Sequence, residues 1–456
     1  MKKISNKFFD FAEGKKRNMT FLTLIVLTIM FSIFSVVFYH RIWNPVLLFV
    51  VMFILGVILT IGECSSKNFQ AAIFWIVIGE VFFVSAFISA QVAFKRRGSS
   101  NLSCPVTFNL KTVNALVNLN IIVSFLALLI GIYSVMQVAP NFMSIFTNST
   151  YVRDLYLKRS GNTMITIAGI FLSLNFFVTF CFVPIALQNR IKRTVSKLII
   201  ILLSRLFSSL VTMSKEAFII DVIYFISVYI LLLKDKKAEY RFYRKYGSIF
   251  GILIVILLIV ISFQRNYIGQ GRYSGYGDAV LGTLRTYLSI PIETFGALLN
   301  SESLVYTKGN ICFRPIINIF SYIGVGEHVS IIQDVLTNVI SSNVYTSFGN
   351  MYRDFSYEGI IGLSIFFGFF MGTIYKSNHK NRISRIAADA IVIMTMFFGY
   401  YDLKIIQTVY LFVIVYAVFF DKIIAGKLYV NCDDFSLQSS NTVEQKIIKN
   451  EEGKNI

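Results

Sequence analysis

Long apolar runs separated by short polar segments, many of them basic, fill most of the chain. The runs cover residues 19–39, 45–62, 70–94, 116–138, 165–187, 198–212, 217–233, 248–264, 356–375, 386–401 and 405–420. Most approach the length of roughly 17–25 residues that an α-helix needs to cross a hydrocarbon core of about 30 Å. A backbone in lipid finds no water partner, so such runs predict helices. No small-residue cleavage site follows the first run, which reads as a retained span rather than a signal peptide.

From the fourth run onward the polar segments alternate in character. Segments 188–197, 234–247, 376–385 and the tail after 421 are basic, and the positive-inside rule expects them in the cytoplasm. Segments 139–164, 265–355 and 402–404 are then expected outside. The start of the chain breaks this order. Residues 1–18 carry six Lys/Arg, and Lys95, Arg96 and Arg97 follow the third run, yet three spans cannot join two cytoplasmic ends. A missed span, an interfacial or re-entrant run, or one failure of the charge rule would each resolve the conflict. The four later segments agree with one another and take precedence. The expected fold class is an all-α polytopic membrane protein with about 10–12 transmembrane helices. It divides into a basic N-terminal segment (1–18), a first transmembrane bundle (19–264), a large extracytoplasmic loop (265–355), a last transmembrane part (356–420) and a cytoplasmic tail (421–456).

The outer segment 265–355 differs from the basic loops. Arg265, Arg272, Arg285, Lys308, Arg314 and Arg353 are balanced by Asp278, Glu293, Glu302, Glu327, Asp334 and Asp354. Two semi-apolar stretches, 279–299 and 311–325, are interrupted by Pro291 and Pro315. They predict short amphipathic helices lying on the membrane face or dipping into a cavity. The tail after 430 is polar and of mixed charge, a composition that predicts disorder.

Composition agrees with the hydropathy. Apolar residues form 55% of the chain and charged residues 15%, and mean hydropathy is +0.67, outside the range of ordinary soluble domains. The net charge of +19 sits in loops between spans, so it reports topology and some attraction to anionic lipid rather than nucleic-acid binding. The five scattered cysteines form neither a disulfide framework nor a metal-ligand spacing.

Familiar soluble-enzyme motifs are missing: there is no P-loop, no G-x-S-x-G and no H-E-x-x-H. His40 and His379 sit in short loops and read as solvated, whereas His328 lies in the large outer segment. Charges at or inside apolar runs carry more information, because an unpaired one costs several kcal/mol there. Arg205 falls within "LIIILLSRLFSSLVTM", Lys215 and Glu216 begin the next run, Arg265 ends the run before the outer segment, and Arg353-Asp354 end the segment itself. Snorkelling or pairing between helices would account for any one of them. Together they suggest cations converging on one outward-facing site for an anionic, membrane-bound substrate, since arginine offers phosphate a forked donor. Tyrosines such as Tyr345 add faces that stack on sugars, although tyrosine is also an ordinary interfacial anchor.

Three stretches carry a resemblance: "NVYTSFGNMYRDFSYEGIIG" leading into a span, "TYLSIPIETFGALLN" followed at distance by "FRPIINIFSYIG", and "TMSKEAFIIDVIYFISVYILLL" before a basic loop. With the hydropathy profile they make residues 110–420 similar to the O-antigen and capsular-polysaccharide repeat-unit polymerases (Wzy type). The chain departs from that pattern in having Ser356 where many relatives have the glycine of Asp-Phe-Gly. It also has Met213-Ser214-Lys215 in place of Gly-Ser-Arg. An Arg-to-Gly spacing of about ten residues is only approximated by Arg265 with Gly275 or Gly277.

The resemblance implies transfer of a glycan from undecaprenyl pyrophosphate to another lipid-linked repeat unit at the outer membrane leaflet. It implies no metal or nucleotide cofactor, and possible association with a chain-length regulator and a flippase. The implied catalytic set is His328, Glu293 and Asp354. The implied substrate-binding set is Arg153, Arg205, Lys215, Arg265, Arg272, Arg314, Arg353 and Tyr345. Asp354 is expected to pair with Arg353 rather than to act as base. An O-antigen ligase would share the architecture and donor, and a lipid-linked oligosaccharide flippase or other transporter would be a non-enzymatic alternative.

Overall fold

The computed structural model describes residues 26–27, 30–31, 33–39, 41–60, 67–94, 107–147, 151–152, 155–156, 163–212, 215–233, 237–245, 247, 276–301, 304–322, 324–327, 329, 345–375 and 382–430. Over these residues the regular structure is helical, apart from one two-residue strand pair. The long helices are α1 (Pro45–Thr60), α2 (Lys67–Ala93), α3 (Leu110–Met136), α4 (Thr163–Phe180) continued by α5 (Phe182–Gln188), α6 (Thr194–Val211) and α7 (Lys215–Leu231). After them come α8 (Tyr276–Leu299), α9 (Arg314–Tyr322), α10 (Ser347–Ile374), α11 (Ile383–Phe398) and α12 (Thr408–Leu428). Six helices among the described residues are long and apolar enough to cross a membrane. The chain is an all-α polytopic protein. The apolar runs therefore form the helices their length predicted, except that 248–264 and most of 19–39 lie outside the described residues.

Contacts between helices give each one a direction. Asn120 of α3 donates to the Phe176 carbonyl (3.0 Å) and to Thr179 Oγ1 (2.7 Å). Helix α5 ends only a short turn before α6, which begins beside Asn114 near the start of α3, so α4 runs antiparallel to α3. Lys197 Nζ reaches Asn114 and Asn118, and Ser204 donates to the Ser124 carbonyl, so α6 runs parallel to α3. The short strands β1 (Thr107–Phe108) and β2 (Tyr429–Val430) pair antiparallel and tie the start of α3 to the end of α12. Arg41 donates to the carbonyls of Ile230 and Leu233 at the end of α7. These links collect Arg41, Lys111, Arg190, Lys192, Arg193, Lys197, Arg382 and Lys427 at one end of the bundle, here the basic end. The far end carries the turns 137–143, 399–407 and the loop 304–313.

Helix α2 shows which end of the bundle the third apolar run reaches. A Cβ at Gly368 would overlap the Phe83 carbonyl, and one at Gly372 the Phe87 carbonyl, so α2 and α10 pack backbone to backbone. Small residues permit that approach. The matching of 83 with 368 and 87 with 372 makes the two helices parallel. Trp75 stacks on Tyr357 at 4.4 Å farther up the same seam, and Gln91 Nε2 bonds the carbonyls of Gly372 and Tyr375 at its lower end. Helix α2 thus ends at the basic end, and α1, with Arg41 and Trp43 bound to α7 and Glu239, begins there.

The described part of segment 265–355 packs into the bundle. The second half of α8 is buried against α1 and α2 through Leu288, Ile292, Phe295 and Leu298, so this stretch dips into the bundle. Helix α10 begins at Ser347, nine residues before the apolar run that predicted it. Its polar first turns are as buried as its apolar part, which is why hydropathy placed the boundary late.

Candidate functional site

Helix α10 is broken just after Arg353-Asp354. Phe355 has φ −141°, ψ 24°, and Ser356 has φ 62°, ψ −152°. The second pair belongs to glycine's part of conformational space and costs a side-chain-bearing residue about 1–3 kcal/mol. The sequence lacks the expected glycine, and the turn forms nonetheless. The loop before α9 supplies what the break removes: the N–H groups of Thr307 and Lys308 donate to the carbonyls of Arg353 (2.9 Å) and Asp354 (3.1 Å). Tyr306 Oη donates to Ser356 Oγ at 3.1 Å.

The Asp354 carboxylate completes this clasp. Fully buried, it accepts from Thr307 Oγ1, from the Ile311 N–H (3.1 Å) and from the Cys312 N–H (2.7 Å). Lys308 and Gly309 adopt left-handed backbone, φ 51° and 96°, which folds the loop so that those two N–H groups point inward. The pairing of Asp354 with Arg353 expected from sequence is therefore corrected. Adjacent residues on a helix point apart, and the two side chains diverge. Arg353 lies with its Cζ 4.6 Å over the Tyr345 ring, so those two predicted residues do meet.

Asp354 thereby fixes the residue that follows the loop, Arg314, the first of α9. Arg314 is only 2% exposed, and its Nε and Nη1 are buried with no hydrogen-bond partner. Asp402, which feels the charges of both Arg314 and Lys404, links it to residues that the sequence did not single out. Lys404, 3% exposed, forms an ion pair with half-exposed Glu216 and lies 5.6 Å from the centre of the Phe398 ring. Asp402 receives Asn350 Nδ2 at 3.5 Å and Gln407 Nε2 at 3.4 Å. Burial raises the Asp402 carboxyl above the usual carboxylate range, while Lys404 and Arg314 pull it back. Asn350 Oδ1 is a further buried atom without a partner.

The cluster therefore joins α7, α9, α10 and the α11–α12 turn at the far end, with two cations, one central acid and several unclaimed polar atoms. Chemically it can hold an anion: a buried guanidinium with free donors is costly alone and matches the oxygens of a phosphate or carboxylate. The available sign was "YDLKIIQ" itself, two charges in a short connection between apolar runs.

Other predicted site residues lie elsewhere. Arg205 is committed to Asp221 of α7, with bonds of 2.7 and 3.3 Å, and its Cζ sits 4.2 Å over the Phe176 ring. That is helix pairing within the bundle. Glu293, half-buried on α8, lies near Tyr400, whose hydroxyl donates to the Leu288 carbonyl. No described hydrogen bond or ion pair joins Glu293 to Arg314 or Arg353. Arg153, Arg265, Arg272 and His328 lie outside the described residues, as does the side chain of Lys215. Among the described residues no group of three His, Cys, Asp or Glu could hold a metal ion.

Comparison with known protein families, characterised proteins and solved structures gives no match to this chain.

Proposed function

We propose that the protein polymerises undecaprenyl-pyrophosphate-linked oligosaccharide repeat units into surface polysaccharide. The observation that carries this reading is Arg314, buried with unclaimed donors beside Lys404 and Asp402. The positive-inside rule places the basic end in the cytoplasm and this cluster outside. Ten crossings keep residues 1–18 in the cytoplasm if the run 19–39 lies in the interface, and eleven carry them outside.

In the proposed reaction Arg314 and Lys404 bind the pyrophosphate of the donor and take up the charge that develops as it leaves. The acceptor hydroxyl of the second repeat unit needs a base. Both Asp354 oxygens already accept from the loop, so Asp354 acts as a positioning residue, and the base is assigned to Glu293 or His328. Arg353 over Tyr345 is assigned to the glycan side of the donor.

The test uses purified protein in detergent with lipid-pyrophosphate repeat units, read as a length ladder on a gel. Arg314→Ala should remove contacts worth about 1.5–3 kcal/mol, roughly a ten- to hundred-fold loss in rate. Lys should restore it only in part, since it keeps the charge and loses the fork. In cells the surface glycan should shrink to single repeat units. A ligase defect would instead leave long polymer on the carrier lipid, and a flippase defect would hold single units inside. Either pattern would overturn the proposal.

A further inference from the structure

Helix α9 is built inside out for a helix on an aqueous surface. Its polar residues Arg314 and Asn318, one turn apart, are buried, while Ile316 and Phe320, also one turn apart, are 48% and 49% exposed. Asn318 is held on the inner side by both of its amide atoms, which bond the carbonyl and N–H of Val329 at 3.1 and 2.8 Å. A water-facing helix normally shows the opposite arrangement, with polar residues out and apolar residues in.

The apolar side is not an isolated patch. The N–H groups of Ile316 and Ile317 donate to the Phe313 carbonyl (3.0 and 3.1 Å), so the helical path includes Phe313, and 313, 316 and 320 share one face. Phe313 meets Phe366 at 5.8 Å and Phe367 at 6.1 Å. Phe366 is itself exposed and stacks on Phe370 at 6.3 Å. Both lie in the part of α10 that is long and apolar enough to cross a membrane. The stripe on α9 thus continues, ring to ring, the outer face of a membrane-crossing helix.

We infer that α9 is an interfacial helix whose Phe313–Ile316–Phe320 stripe lies among lipid acyl chains, with its Arg314–Asn318 side turned into the protein. The partner is the bilayer, because the surface that the stripe extends is the outer face of the span in α10. A helix of this kind sits in the interface plane with its apolar face sunk about 5–10 Å. Arg314 is thereby held at headgroup depth on the protein side, whatever reaction the cluster serves.

The inference is tested with the full chain in phosphatidylcholine–phosphatidylglycerol bilayers. The five native cysteines are replaced, and a nitroxide is placed by Ile316→Cys or Phe320→Cys. Phe366→Cys serves as the lipid reference and Lys237→Cys, exposed at the basic end, as the aqueous reference. Collision with oxygen and with a water-soluble nickel chelate is then measured for each label. Both α9 labels should favour oxygen over nickel by a ratio nearer that of position 366 than that of position 237. A ratio matching 237 would show the stripe in water and overturn the inference. Low access to both reagents would mean that protein, a second copy or another partner, covers the stripe, and would overturn it equally. Monodisperse elution of each labelled protein guards against reading a misfolded chain.

Discussion

The Asp354 carboxylate, at the end of the first half of α10, receives the Cys312 N–H of the loop before α9 at 2.7 Å. With the Ile311 N–H and Thr307 hydroxyl on its other oxygen, this acid acts as a clasp for the loop that delivers Arg314. Replacing Asp354 by Asn puts an amide donor against one of those donors and leaves a buried group unsatisfied, at a cost of about 1–3 kcal/mol. Thr307→Val should destabilise in the same direction by less. The double variant should lose less than the sum, because both act through one network. Thermal unfolding in detergent measures all three. Full additivity would separate the two residues.

Ser356 holds a backbone conformation that glycine adopts without strain. Ser356→Gly should therefore raise stability by about 1 kcal/mol, after allowance for the lost Tyr306 hydrogen bond. Ser356→Ala keeps the strain, loses the bond, and should be destabilised. Unfolding midpoints of the two variants are expected on opposite sides of the wild type.

Glu80 lies in α2 within the bundle, 2% exposed, and its Oε1 has no hydrogen-bond partner. Such a group opposes folding, and a well-packed apolar side chain of similar volume removes that cost. Glu80→Leu should stabilise the protein by about 1–3 kcal/mol. A loss of stability would mean that the carboxyl has a partner in the bundle.

The acid in the cation cluster gives a pH dependence of definite sign. Burial raises Asp402 above its ordinary value of 3.8, so the folded protein holds this proton more tightly than the unfolded chain. Its contribution to stability is full below 3.8 and is lost as the pH climbs through the raised, folded-state value. Asp402→Asn should flatten that part of the stability–pH curve. It should also strengthen sulfate binding at pH values above the raised folded-state value, where the carboxylate is ionised and competes with an anion for Arg314 and Lys404. Sulfate keeps its charge over the whole range, so its binding isolates the titration of the protein.

The helical, polytopic class is legible in the sequence, because a backbone removed from water must satisfy its hydrogen bonds locally and apolar length alone then selects helices. The grouping of the basic loops is legible for the same reason: charge is costly in the spans and accumulates between them. Two members of the cluster, Arg314 and Glu216, stand out as charges beside apolar runs. What the sequence leaves open is which charges meet. Asn350, Asp402 and Lys404 join Arg314 only because α10, α11 and α12 bring their far ends together. The unlike roles of Arg353 and Asp354 depend on the break at Ser356 and on a loop that folds back to it. The turning of α9, polar side in, is likewise invisible to periodicity, which finds two faces on a helix and does not say which one is covered. These were decided by tertiary structure, since the energy of a buried charge depends on neighbours in space rather than on neighbours along the chain.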